Sequence, residues 1–169
     1  MKIKHFILFV LLVSFFVSKA QDAPKITGIT FGSPENYKEY EPLVLECANY
    51  ILESNYQMNS SNQVNLNAFI FIVNWMTGTP DYSFTIDSKI TKICKNQSLL
   101  SSVYMAACVK YSIENKQDAK NPQANSYNGY LTFIKYCENP DNGVIIKGEM
   151  KKLIDAKNNN KLKKYLGME

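Results

Sequence analysis

The residues best suited to chemistry in this chain cluster just after its single tryptophan. Between Trp75 and Tyr82 the run Trp-Met-Thr-Gly-Thr-Pro-Asp-Tyr places an indole, a carboxylate and a phenol close together. Trp75, Asp81 and Tyr82 could jointly engage a peptide or stack on a sugar ring. The same residue types also make an ordinary helix exit. Gly78 then serves as a left-handed cap, Pro80 blocks continuation, and Asp81 bonds to the turn backbone. Asp81 and Asp87 flank a segment in which Tyr82, Phe84 and Ile86 alternate, and Glu53 or Glu114 could complete a pair of acids. Two carboxylates roughly 5–10 Å apart across a cleft, one with a raised pKa, are the requirement for a glycan hydrolase. A second candidate surface is basic. Residues 147–166 hold seven lysines, Lys151 and Lys152 among them, against Glu149 and Asp155. Residues 21–60 are acidic, with six carboxylates against Lys25 and Lys38. Such polarity can steer an acidic partner onto the lysine-rich end.

Other chemistries lack their side chains. The only histidine is His5 and there is no arginine. Beyond residue 20 no imidazole remains for Ser-His or Cys-His catalysis or for ordinary zinc binding. Without arginine, every cation is a point-like ammonium, which weighs against nucleic-acid recognition. No phosphate-binding glycine loop and no Cys-x-x-Cys motif occurs, so no cofactor is expected.

The first twenty residues look like a leader. Lys2 and Lys4 precede an apolar run over 6–17, followed by Ser18-Lys19-Ala20. This order of basic, apolar and small residues marks a cleavable signal peptide ending at Ala20. The apolar run is too short for a permanent anchor. The expected product is periplasmic or secreted, with no stable membrane insertion. Three of the nineteen lysines leave with the leader, so sixteen face fifteen acids and the net charge falls to +1.

The elements that must position the candidate residues read as helices. An extended lead-in is expected over 21–36, where Pro24, Gly28, Gly32 and Pro34 punctuate Ile26, Ile29 and Phe31. Pro42 suits the first turn of the next helix, with Leu43, Cys47, Tyr50 and Ile51 inward. Residues 64–76 are apolar on every side, and length and punctuation favour a buried central helix over a strand. Its inner stripe is expected at Leu66, Phe69, Ile70, Val73 and Met76, with Asn62 or Asn65 as cap. Asp87 caps a short helix, and another follows from Ser98 with Val103, Tyr104, Ala107, Cys108 and Tyr111 inward. Pro122 opens a helix that buries Tyr127, Tyr130, Leu131, Ile134 and Cys137 and ends at Asn139-Pro140. Val144–Ile146 is expected to cross the core in extended form. Gly148 precedes a helix from Glu149 to Ala156, and a short tail helix covers 161–166. The fold class is thus all-α, an irregular bundle or stacked antiparallel hairpins of six to seven helices, with one helical domain over 37–169.

Cys47, Cys94, Cys108 and Cys137 form an even set that allows three pairings in an oxidising compartment. The helical rise separates Cys94 from Cys108 by roughly 13 Å, too far for a bridge. All four fall on inward-facing positions, where buried free thiols are expected.

The stretches Tyr40–Leu52, Trp75–Phe84 and Lys135–Pro140 resemble an uncharacterised group of small exported all-helical proteins from Gram-negative bacteria. The resemblance implies a helical fold and export, and carries no activity. The functional expectation is an exported, non-catalytic binding or scaffolding protein that docks a protein or an envelope polymer. The alternatives are a carboxylate-only hydrolase of an envelope glycan and a small inhibitor or immunity-type protein.

Overall fold

A computed structural model describes residues 22–56 and 62–168. The leader expected at 1–20 and most of the polar loop expected at 57–63 lie outside the described residues. Side-chain caps and prolines set most helix boundaries. Ser33 donates its N–H to Asn36 Oδ1 at 3.2 Å as α1, Pro34–Glu39, begins. The lead-in therefore gives way to helix at Pro34 rather than after Asn36. Among the described residues this short turn brings the helices to eight, one more than the apolar spacing suggests. Pro42 lies in the first turn of α2, Glu41–Glu53. Asn62 Oδ1 accepts the Val64 N–H at 2.9 Å to start α3, Gln63–Gly78. Asp87 Oδ1 accepts the N–H groups of Lys89 and Ile90 at the head of α4, Ser88–Ile93.

The helix α5, Leu100–Glu114, is followed by a 3-10 turn, Lys116–Asp118, and then by α6, Pro122–Glu138, which is capped by Asn121. After a second 3-10 turn, Pro140–Asn142, come α7, Glu149–Asn158, and α8, Leu162–Leu166. The fold is all-α, and no strand occurs among the described residues. Among those residues no helix is long and apolar enough to cross a membrane.

The helix at the centre is α5, not α3. Leu100, Val103, Tyr104, Ala106, Ala107, Val109 and Ile113 are buried around its whole circumference. It packs on α6, on α2 and on α3, so three neighbours cover it. α3 lies on the outside, with one face on α2 and α5 and the other open. The expected inner stripe is rotated away: Leu66 is 44% exposed and Ile70 48%. Ala68, Phe71, Ile72 and Trp75 point inward instead. A helix apolar on every side leaves its rotation to the neighbours, and these bury the large Trp75 and Phe71 rings together with small Ala68.

Two further expectations change. Gly78 is not a left-handed cap. It is the last residue of α3, and α3 ends because Pro80 holds Thr79 extended at φ −62°, ψ 126°. Gly78 serves packing instead, since a Cβ there would lie 1.9 Å from Tyr37 Oη. Val144–Ile146 does not cross the core. It runs along the surface without regular secondary structure, with Val144 resting on the core and Ile145 57% exposed. Gln97 holds it there, since its side-chain amide accepts the Ile145 N–H at 2.9 Å and donates to the Ile145 carbonyl at 2.8 Å. That pair of bonds replaces a neighbouring strand.

Cys47, Cys94, Cys108 and Cys137 are all free and buried. Burial pushes the Cys47, Cys94 and Cys108 thiols up to about 12. The α5–α6 crossing is tight at Cys108. A Cβ on Gly129 would lie 2.3 Å from the Cys108 Sγ and 3.3 Å from its Cα.

Candidate functional site

The run after Trp75 forms a closed corner. Trp75 is fully buried, and its indole N–H donates to the Tyr37 carbonyl at 2.8 Å. Its ring packs 4.9 Å from Tyr82 and 6.0 Å from Phe84. Tyr82 follows Pro80 in an extended segment pinned to the α6 side of the molecule. There Ser83 donates its N–H to Ala119 O at 2.8 Å, and Ser83 O accepts from Asn125 Nδ2 at 3.0 Å. The Tyr82 hydroxyl donates to Glu41 Oε2 at 2.5 Å and accepts from Lys116 Nζ at 2.6 Å. Lys116 also pairs with Glu41, and its ammonium lies 5.4 Å from the Tyr82 ring centroid. Burial first, and the bond to Glu41 second, push the Tyr82 phenol well above its ordinary range.

Trp75 and Tyr82 are thus brought together and both face inward, whereas Ile86 is 49% exposed. Asp81 is exposed beside them, while Lys120 reaches over to bond the Pro80 carbonyl. Asp87 is committed twice, as the α4 cap and as acceptor of the Tyr130 hydroxyl at 3.0 Å. Glu53 is exposed, and Glu114 pairs with Lys110. Lys151 and Lys152 lie apart on α7, which packs chiefly on α8 and α4. Both are exposed and paired on their own helix, Lys151 with Asp155 and Lys152 with Glu149, each at 2.6 Å. The bond to Lys152 holds the Glu149 carboxyl below its usual range. No group of three or more metal-ligating side chains occurs among the described residues.

An open hollow lies elsewhere, where the end of α5, the first turns of α6 and the chain around α8 meet. It is a groove of about 340 Å³ walled by two half-buried tyrosines, Tyr111 and Tyr127. Tyr111 lies in the last turn of α5, and its hydroxyl donates to Asp118 Oδ2 at 2.5 Å. That bond raises the Tyr111 pKa. Tyr127 projects from α6, and Lys163 of α8 lies over its ring at 5.5 Å.

Amides line the rest of the groove. Asn121 Oδ1 caps α6, and Gln123 Nε2 donates to the Met168 carbonyl at 3.3 Å. Asn128 Nδ2 donates to the Ala124 carbonyl at 2.9 Å. Tyr127 and Lys163 also line a second hollow of about 400 Å³, with Leu131, Lys157, Asn160 and Leu162. The two hollows are therefore neighbours across a Tyr127–Lys163 bar. Both volumes are in the lower part of the range for small-molecule sites.

Sequence reasoning places Tyr111 and Tyr127 on buried stripes and so misses this groove. A signal was present: Gln123 and Tyr127 are four residues apart, on one face of α6, with Asn121 and Asn128 close by. Comparisons of the chain with models of protein families, with characterised proteins and with solved structures each gave no match.

Proposed function

We propose that this protein is an exported, non-catalytic binding module and that its ligand is held in the groove between Tyr111 and Tyr127. One observation carries the reading. Two tyrosines that the fold leaves half-buried wall an open hollow whose other polar side chains are three amides, one acid and one ammonium, with Ala124 and Met168 between them. Concave sites with aromatic walls and a few convergent polar groups are the usual form of a ligand seat. Asp118 is the single carboxylate among the described lining residues, and it already accepts the Tyr111 hydroxyl. A lone, engaged acid suits holding a ligand better than two-acid hydrolysis. Lys151 and Lys152, each paired within α7, offer an acidic partner less than their number suggests.

The test is backbone amide NMR on the labelled full chain, titrated separately with a neutral oligosaccharide, a short peptide and inorganic phosphate. At least one probe is expected to shift the amides of Tyr111, Gln123 and Tyr127. If none moves them, the reading fails. Export rests on the leader-like residues 1–20. Protein recovered from its own host should begin at Gln21, and an intact N-terminus would remove that part.

A further inference from the structure

Resting on the groove reading, we infer that the ligand is a neutral oligosaccharide of at least two rings, lying across the bar formed by Tyr127 and Lys163. The charge balance of the groove comes first. Asp118 and Lys163 supply one charge of each sign in the first hollow, and Lys157 of the second is already paired with Glu138 at 3.0 Å, so an anion meets the carboxylate and a cation meets the ammonium. A neutral ligand meets neither penalty.

The unspent hydrogen-bonding capacity comes second. Asn121 uses its oxygen in the helix cap and keeps its NH₂, while Gln123 uses its NH₂ on Met168 and keeps its oxygen. Asp118 spends Oδ2 on Tyr111, leaving Oδ1 without a partner among the described residues. The walls thus offer both donors and acceptors. Sugar hydroxyls, each of which donates and accepts, satisfy such a set, whereas a purely accepting or purely donating ligand leaves half of it unpaired.

The third observation is shape. Two hollows of about 340 and 400 Å³ share Tyr127 and Lys163. A single ring reaches only one of them; linked rings can reach both, with the apolar face of a ring against an aromatic side chain.

The experiment is calorimetry and amide NMR on the full chain with two neutral trisaccharides, maltotriose and triacetylchitotriose, and with their monosaccharides. At least one trisaccharide is expected to bind roughly tenfold more tightly than its monomer and to shift Gln123 and Leu131 together. Its affinity should not change between low and high salt, since no net charge is neutralised. Tyr127→Ala should weaken it about tenfold, while Tyr127→Phe, which keeps the ring, should hold it within about threefold.

Gln123→Ala alters an exposed side chain, so folding is not at stake, and it should still weaken binding. Binding of neither trisaccharide, a salt-sensitive affinity, or indifference to Tyr127→Ala and Gln123→Ala would overturn the inference. Groove shifts produced by peptide or phosphate alone would sink the saccharide and spare the binding module. Silence from every probe would remove both.

Discussion

Two regions of this molecule use the same chemical pair and reach opposite outcomes. In each, a tyrosine hydroxyl donates to a carboxylate at 2.5 Å, Tyr82 to Glu41 and Tyr111 to Asp118. At Tyr82 the pair is roofed by Lys116 and backed by Trp75, and Glu41 keeps only 16% of its side chain exposed. At Tyr111 the pair forms one wall of an open groove. The bond alone therefore does not mark a site. What separates a structural clasp from a binding wall is whether the surrounding helices close over it, and that is decided by packing remote in sequence.

The largest effect expected against this contrast comes from alkali, which attacks what is closed. Unfolded thiols ionise near about 8.5 and tyrosines near about 10. In the fold, burial holds the Cys47, Cys94 and Cys108 thiols up to about 12 and raises Tyr82 as well. A raised folded pKa gives stability that is complete below the unfolded value and lost as pH climbs toward the folded one. The urea midpoint should hold up to about pH 8.5 and fall steeply above it, each buried thiol costing about 1.4 kcal/mol per pH unit and Tyr82 adding to the loss only above about pH 10. A flat midpoint to pH 11 would show these groups to be wet.

Trp75→Ala comes next. It should lower stability by about 3–5 kcal/mol in urea, because it empties the space behind Tyr82. A loss below 1 kcal/mol would mean that the corner is not closed. Gly129→Ala tests the crossing from which Tyr127 projects. Its methyl group meets Cys108, and overpacking should cost about 1–3 kcal/mol, read the same way.

The direct comparison is Glu41→Gln against Asp118→Asn. The first removes a charge shared by Tyr82 and Lys116 and should cost about 1–3 kcal/mol. The second alters a wetter pair and should cost under about 1 kcal/mol. Equal losses would erase the distinction.

What the chain reveals before folding follows the same line. Caps and stops are local, so Asn62 (one of two candidates, with Asn65), Asp87, Pro122, Pro80 and Pro140 announce helix ends correctly. The class, all helical, follows from them together with apolar spacing. The rotation of α3 does not, because Leu66 and Phe71 are equally apolar and only α2 and α5 choose between them. Val144–Ile146 reads as core because its partner, Gln97, stands far back in the chain. The groove escapes for a related reason. Tyr127 and Leu131 continue the spacing of Ile134 and Cys137, yet the first two lie half-exposed at the edge of the buried stripe, beside buried Ser126, Gly129 and Tyr130.

The four sealed sulfurs carry a last consequence. If the chain is exported as proposed, it must bring Cys47, Cys94, Cys108 and Cys137 under cover before oxidants reach them. Collapse of the bundle then has to outrun cross-linking. The native molecule would thereafter record its own history, since any sulfur found oxidised marks a moment when the helices had parted.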